Sequence, residues 1–257
     1  MSQFGDLYSK YYDLLYKDKD YNSEVDYVIQ LINKYGKKPQ SILDLGCGTG
    51  KHDQILCDNG YITHGVDISE EMLKIAEHRR QGREKKLTFS QSDITQLKLG
   101  RKFDVIISLF HVMSYQNTNA LLDKVFSVVV HHLNKGGLFI FDFWYGPAVL
   151  TDPPKKKTKK LENESIKITR MTETQMHAPL NRVDVSFDIS VKNKKDNKKF
   201  KKKELHQMRY FFDTELEMLC DKHRFKIDQR YEWLTNKKPS FESWSVVWVV
   251  SKDLDSL

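Results

Sequence analysis

The stretch SILDLGCGTGKHDQIL, residues 41–56, decides the fold. An apolar run stops at Asp44, glycines follow at Gly46, Gly48 and Gly50, and polar residues compatible with a helix come next. SILDL reads as a short buried strand and HDQILCDNG as a helix closing at Gly60, which leaves the glycines in the turn between them. Glycine is needed where φ is positive or where a Cβ would strike a ligand. A strand-to-helix turn at the C-terminal edge of a parallel sheet is where doubly wound folds bind ligands. The spacing is Gly-x-Gly-x-Gly, not the Gly-x-Gly-x-x-Gly of pyrophosphate binders.

Outward from this turn, strand and helix alternate. YITHGVDIS, KLTFSQSD, FDVIISLF and GGLFIFDFW read as strands. SEEMLKIAEHRRQG reads as a helix with Ser69 as cap, Glu70 and Glu71 in the first turn and Gly82 at the exit, and TNALLDKVFSVVVHHL as one capped near Thr118. Ahead of the turn, NSEVDYVIQLINKYG sets Val25, Val28, Ile29 and Ile32 at helical spacing, with Asn22 or Ser23 as cap and Gly36 as stop. This alternation predicts an α/β, doubly wound, mostly parallel sheet.

After Trp144 the texture changes. PAVLTDPPKKKTKK reads as a Pro- and Lys-rich loop, and SIKITRMTETQ, RVDVSFDISVKN and KKKELHQMRYFF alternate with period two. In the second of these, Val183, Val185, Phe187, Ile189 and Val191 face inward while Arg182, Asp184, Ser186, Asp188 and Ser190 face out, the pattern of an antiparallel sheet with one wet face. DTELEMLCDKHRF returns to helix, and KIDQRYEWL and SWSVVWVVSK close the chain as strands. The expected organisation is one domain made of residues 1–150 and 213–257, with a small antiparallel sheet inserted at 151–212.

The 257 residues carry a formal net charge of +7, owed largely to lysine clusters at Lys155–Lys160 and Lys192–Lys203. Such a balance is consistent with anionic partners or with solvated loops. Cys47, Cys57 and Cys220 form no CxxC pair, which argues against a structural zinc site and for a reducing compartment. MSQFGDLYSKYYDLLY carries Asp6 and Asp13 and no apolar core of signal length, and VVWVV is too short to cross a bilayer. The expectation is a soluble cytoplasmic protein with no membrane partner.

Three carboxylates mark strand ends. Asp44 precedes the glycine turn, Asp67 ends the second strand and Asp93 follows the third. A carboxylate in the second position can accept both hydroxyls of a ribose, and one in the third can accept from an exocyclic amine of adenine. With the glycine turn left for an amino-acid tail, the set describes S-adenosyl-L-methionine better than a dinucleotide. The plain alternative is that Asp67 caps the following helix and Asp93 merely ends a strand.

ILDLGCGTG, GVDIS, SQSDI, FDVIISLF and LNKGGLFIFDF, in this order and spacing, resemble the class I S-adenosylmethionine-dependent methyltransferases over roughly residues 40–145. The resemblance implies that Gly46, Cys47, Gly48 and Gly50 line the methionine part, with Asp44 also binding the cofactor. It further implies that Asp67, Ile68 and Met72 meet the ribose side, that Asp93 and Ile94 meet the adenine, and that Leu109 and Phe110 form a floor after strand four.

YYDLLYKDKDYNSEV resembles one branch more closely, the N,N-dimethyltransferases of nucleotide-linked amino sugars. That branch carries a Tyr-Asp-x-x-Tyr segment and then an Asp-Tyr, here Tyr12, Asp13, Tyr16, Asp20 and Tyr21, and it inserts an antiparallel sheet after strand five. The chain departs from it in a short linker holding Lys17 and Lys19 and in the lysine runs of 192–203. The resemblance implies a small-molecule acceptor, with or without a phosphate, bound by a monomer or homodimer, the inserted sheet serving as an acceptor-side lid. An unprotonated amine is already a good nucleophile, so positioning can supply most of the rate, whereas a hydroxyl acceptor would need a base.

The candidates near the methyl are Tyr12, Tyr16 and His111 for catalysis, with Tyr21 closing over the cofactor's carboxylate. Tyr16, Tyr115, Trp144, Tyr145, His206 and Arg209 are candidates for holding the acceptor, Arg209 or His206 through a phosphate. SLFH stands where an Asn/Asp-Pro-Pro-aromatic segment would favour a nucleobase amine. Nucleic acid is therefore a weaker alternative, kept open by the lysines, as is O-methylation of a glycan or other metabolite.

Overall fold

A computed structural model describes Tyr11 and residues 14–252. Its centre is β1 (Ser41–Leu45), a strand buried on both faces. It pairs in parallel with β2 (Ile62–Asp67) on one side and β4 (Phe103–Ser108) on the other. β3 (Leu87–Gln91) adds to β2, and β5 (Leu133–Tyr145) adds to β4, both in parallel. β11 (Ser245–Lys252) then runs antiparallel to β5, and β10 (Phe225–Glu232) antiparallel to β11.

The period-two alternation of these strands divides their side chains between two cores. Ile42, Val105, Ile107, Leu138, Ile140, Val247 and Val249 face α1 (Tyr21–Tyr35) and α2 (Lys51–Asp58). Leu43, Leu45, Ile106, Phe139, Phe141, Phe143 and Trp248 face α4 (Asn119–His132) and, near the chain's end, α6 (Asp213–Lys222). Two covered faces are what the unbroken apolar runs require. α3 (Glu70–Arg79) follows β2, with Ser69 accepting from the Met72 N–H as its cap.

Local chemistry moves several boundaries. The cap of α1 is Asp20, not Asn22 or Ser23: its carboxylate takes the Ser23 N–H at 3.0 Å and the Ser23 hydroxyl at 2.6 Å. Aspartate at the cap satisfies a first-turn N–H that has no partner inside the helix. α3 ends at Arg79, ahead of Gly82. The segment read as a loop after Trp144 contains a short helix, α5 (Gly146–Thr151), with Pro147 in its first turn, where a missing N–H costs nothing.

The same segment also supplies β6 (Lys157–Glu162), which pairs antiparallel with β7 (Ile166–His177). β8 (Arg182–Asn193) and β9 (Lys199–Phe211) complete an antiparallel sheet in the order β9-β8-β7-β6. The lysines of β6 guard its open edge against pairing with another chain. This sheet joins the central one through a short parallel ladder, Trp144 opposite Tyr210 and Tyr145 opposite Phe211. Val183, Val185, Ile189 and Val191 are buried, while Phe187 is half-buried because it faces a cavity.

Candidate active site

Where the central sheet meets the antiparallel one, a cavity of about 610 Å³ opens at the C-terminal ends of the parallel strands. Its inner end begins at the glycine turn. The Gly46 and Cys47 amides donate to the Val66 carbonyl at 2.7 and 3.0 Å, which pins the turn to β2. Gly48 has φ +55°, and a Cβ there would meet no atom within 4 Å, so the turn presents bare backbone to the cavity. Gly46 also lines the cavity, and a Cβ on it would collide with Val112.

Gly50 lies outside the cavity wall. It is glycine because a Cβ would drive into the Phe89 ring at 2.6 Å, a packing reason rather than a ligand one. Cys47 is buried behind the turn, with its Sγ 3.9 Å from the Gly48 carbonyl oxygen. Asp44 is only 2 % exposed and also lies behind the turn, against the fully buried Asp53 of α2. Burial, then the Asp53 charge, pushes the Asp44 carboxyl well up, and burial pushes Asp53 up to about 7. The acid on β1 thus faces Asp53 and does not line the cavity.

Asp67 lines the cavity and also braces it. One carboxylate oxygen accepts the Gly48 N–H at 2.8 Å and the other the Ser69 N–H at 2.8 Å. The ligand-binding and helix-entry readings are therefore both satisfied in geometry, because each oxygen keeps a second lone pair for a hydroxyl donor. Asp93 spends one oxygen on the Thr95 N–H at 2.8 Å and also borders the cavity. Ile68, 68 % exposed, Met72, Ile94 and Leu109 supply apolar walls between the two acids. Bare backbone, two carboxylates with spare lone pairs and a slot of aliphatic side chains fit the tail, ribose and adenine of S-adenosylmethionine.

Beyond Leu109 the chain takes an unusual path. Phe110 and His111 both have positive φ, +63° and +65°. For such side chains this conformation costs on the order of 1–3 kcal/mol each and needs the surroundings to enforce it. Asp142, near the C-terminal end of β5 and 1 % exposed, does so. Its carboxylate accepts the His111 backbone N–H at 3.0 Å and lies 2.9 Å from His111 Nδ1. Both His111 and Phe110 line the cavity.

The outer end is built from three separate elements. Tyr11 and Tyr16 come from the N-terminal segment, Tyr115 and Trp144 from the ends of the parallel layer, and Arg170, Phe187, Glu204 and His206 from the antiparallel sheet. Tyr16 meets Phe110 edge-on at 5.5 Å, and the Arg170 guanidinium lies 4.6 Å over the Phe187 ring. The Tyr115 hydroxyl lies 2.7 Å from His206 Nδ1, which ties the two layers together across the cavity. Burial raises the hydroxyl pKa of Tyr16 and Tyr115 and takes Tyr11 up to about 12.

A smaller cavity of about 230 Å³ adjoins the first at Tyr16 and is lined by Tyr21, Lys17, Lys19, Lys51 and Arg79. Lys19 Nζ is 2.9 Å from Glu24 and 3.4 Å above the Phe110 ring. His52 Nε2 meets the same Glu24 at 2.7 Å, and Tyr21 packs edge-on to His52. Burial lowers the pKa of Lys19, and Glu24 opposes that shift.

Two acceptor candidates stand elsewhere. Arg209 is 8 % exposed and paired with Glu215 on the face of β9 away from the cavity, so it holds the start of α6 rather than a phosphate. Tyr145 packs against the aromatic core. Tyr12 lies outside the described residues. Asp142, Arg170 and Glu204 were not singled out in the sequence. Asp142 had a visible signal, a lone acid inside the apolar run FIFDFW. The other two occupy inward positions of strands whose polar residues read as wet.

Residues 42–137 match the model of the methyltransferase domain family. Among characterised proteins, the chain is 32 % identical over 143 residues to dTDP-3-amino-3,4,6-trideoxy-alpha-D-glucopyranose N,N-dimethyltransferase of Streptomyces venezuelae. That match spans 55 % of this chain and 59 % of the relative, so it reaches less than two thirds of that relative's length. It is 26 % identical to dTDP-3-amino-3,6-dideoxy-alpha-D-glucopyranose N,N-dimethyltransferase of Streptomyces fradiae over 70 % of this chain and 69 % of that one. Among solved structures, an S-adenosylmethionine-dependent methyltransferase from Clostridium acetobutylicum superposes with a TM-score of 0.81 at 25 % identity, covering 97 % of this chain and 99 % of that one. No helix among the described residues is long and apolar enough to cross a membrane.

Proposed function

Because this chain belongs to the class I S-adenosylmethionine-dependent methyltransferases, close to the amino-sugar branch, we propose that it methylates the amino group of a nucleotide-linked sugar. One observation carries the reading. A single cavity runs from the glycine turn, Asp67 and Asp93 to a polar, aromatic chamber lined by Tyr16, Trp144 and the antiparallel sheet. The names of the two Streptomyces relatives support an amino sugar as acceptor.

In this reading Asp67 accepts the ribose hydroxyls, Asp93 the adenine amine, and Ile68, Met72 and Leu109 enclose the base. Tyr21 and Lys19 close the carboxylate end. When bound, the cofactor supplies a methyl on a sulfonium, which an amine lone pair takes in line as the C–S bond breaks and its electrons stay on sulfur. The chain supplies position and dryness. His111, fixed by Asp142, hydrogen-bonds the incoming group through its free nitrogen. Trp144 and Phe187 offer ring faces to a sugar, and Arg170 is the cavity-facing guanidinium for a phosphate. The antiparallel sheet covers the acceptor as a lid.

The lysines of β9 do not favour a nucleic acid in this chamber: Lys199, Lys201 and Lys203 are exposed, whereas Phe200, Lys202, Glu204 and His206 alternate with them and are half-buried. The test is turnover with S-adenosylmethionine and dTDP-3-amino-3,6-dideoxyglucose, read by mass. Added methyl groups support the reading, and an unmodified sugar in the presence of bound cofactor rejects the acceptor.

A further inference from the structure

Each methyl added to an amine requires the acceptor nitrogen to give up one proton, and a second methyl requires a second. That proton must pass from the nitrogen to solvent. We propose that Tyr115, His206 and Glu204 form this path, with Tyr115 touching the acceptor and the other two acting through it. The proposal rests on the amine reading of the same site.

The three residues form a chain in space. The Tyr115 hydroxyl is 2.7 Å from His206 Nδ1, and His206 Nε2 is 3.4 Å from Glu204 Oε2. Glu204 Oε1 is 2.8 Å from Lys202 Nζ, whose side chain is 35 % exposed, so the chain leads from the chamber to solvent. A carboxylate only accepts. Glu204 therefore selects the His206 tautomer that carries its proton on Nε2 and leaves Nδ1 to accept from Tyr115.

Burial holds the Tyr115 hydroxyl above its ordinary range, so it is a phenol and not a phenolate at neutral pH. A phenol that donates to His206 keeps its own lone pairs for a donor in the chamber, and a sugar ammonium is such a donor. The ammonium gives its proton to the Tyr115 oxygen as the Tyr115 proton moves to Nδ1. The imidazolium so formed, held by Glu204, loses its Nε2 proton through Glu204 to water. One proton leaves per cycle and Tyr115 and Glu204 return to their starting forms, while His206 is left with its proton on Nδ1 and regains the Nε2–H form by proton exchange with water before the next cycle. Other charged or titratable groups facing this chain are Lys202 on β9, Arg170 on β7 and Tyr16 and Tyr11 from the N-terminal segment.

A merely structural clamp between the layers would need the same Tyr115–His206 contact but no particular tautomer. Long-range proton–nitrogen spectroscopy on histidine-labelled protein separates the two, with His206→Asn identifying the signal. The Nε2–H form is expected. The Nδ1–H form overturns the path, whether or not any acceptor turns over.

The kinetic arm uses dTDP-3-amino-3,6-dideoxyglucose as probe. His206→Asn should lower kcat by about 10-fold or more with little change in KM, and added imidazole should restore activity to His206→Ala, as expected for a lost proton carrier. Unchanged kcat in a folded His206→Asn that still binds S-adenosylhomocysteine overturns the path. A wild-type chain that leaves this sugar unmethylated rejects the acceptor assignment instead, and the tautomer then decides on the path alone.

Discussion

Asp142 accepts the His111 backbone N–H at 3.0 Å and sets a second carboxylate oxygen 2.9 Å from Nδ1, beside a strained residue that lines the cavity. The carboxylate is nearly inaccessible near the C-terminal end of β5, where an apolar residue would otherwise pack. Asp142→Asn keeps the shape but offers only one acceptor oxygen for two contacts. It should lower kcat by roughly 10- to 100-fold, within the range ascribed to one positioned acid–base group, while leaving S-adenosylhomocysteine affinity within about 2-fold. Steady-state kinetics alongside calorimetry check this.

Asp67 makes the opposite prediction. It braces the glycine turn and borders the cofactor end, so Asp67→Ala should weaken S-adenosylhomocysteine binding by about 1–3 kcal/mol, the cost of unmade charge-assisted hydrogen bonds. Titration calorimetry reads it directly. Unchanged affinity would reduce Asp67 to a brace for the turn and the Ser69 entry to α3.

Arg209 separates stability from binding. Its partner Glu215 also accepts the Phe212 N–H at 2.9 Å and so fixes the start of α6. Breaking a fully buried pair costs about 3–5 kcal/mol, and because Glu215 is partly exposed the loss for Arg209→Ala should be on the order of 2 kcal/mol. Denaturant unfolding measures it. Binding of S-adenosylhomocysteine and KM for the acceptor should not move.

The buried Asp53 makes stability depend on pH. Its carboxyl has an ordinary value of 3.8 and is pushed up to about 7 in the fold by burial. Between those values the folded chain binds a proton that the unfolded chain does not, so this contribution is complete at low pH, falls as pH rises towards about 7 and is flat above it. Asp44 shifts in the same direction beside it. The melting temperature of the wild type should therefore fall between about pH 4 and about pH 7 more steeply than that of Asp53→Asn. Equal slopes would show that Asp53 is ionised in the fold.

The parallel layer was legible because its signals are local. A buried strand, a glycine turn and a capped helix each announce themselves within a few residues, and Ser69 and Thr118 cap their helices as read. What the sequence hid depends on distance. Gly50 and Gly48 look alike in GCGTG, yet Phe89 packs against one and the cavity opens on the other. Asp44 and Asp67 both end apolar runs, yet only Asp67 reaches the cavity, because Asp53 lies against Asp44 from the next helix. Strand β6 was masked by its lysines, which suit an edge as well as a loop. Arg170 and Glu204 belong to the chamber only because the antiparallel sheet folds its inward face over β4 and β5, a relation between elements that no periodicity records.

In the proposed reaction one cavity holds a methyl donor at its inner end and an amine at its outer end. Incubating the chain with S-adenosylmethionine and dTDP-3-amino-3,6-dideoxyglucose, and weighing the sugar product, tests both ends together. The expected product is a sugar carrying one or two new methyl groups, with S-adenosylhomocysteine formed in step. Tight binding of S-adenosylhomocysteine without any methylated sugar would contradict it.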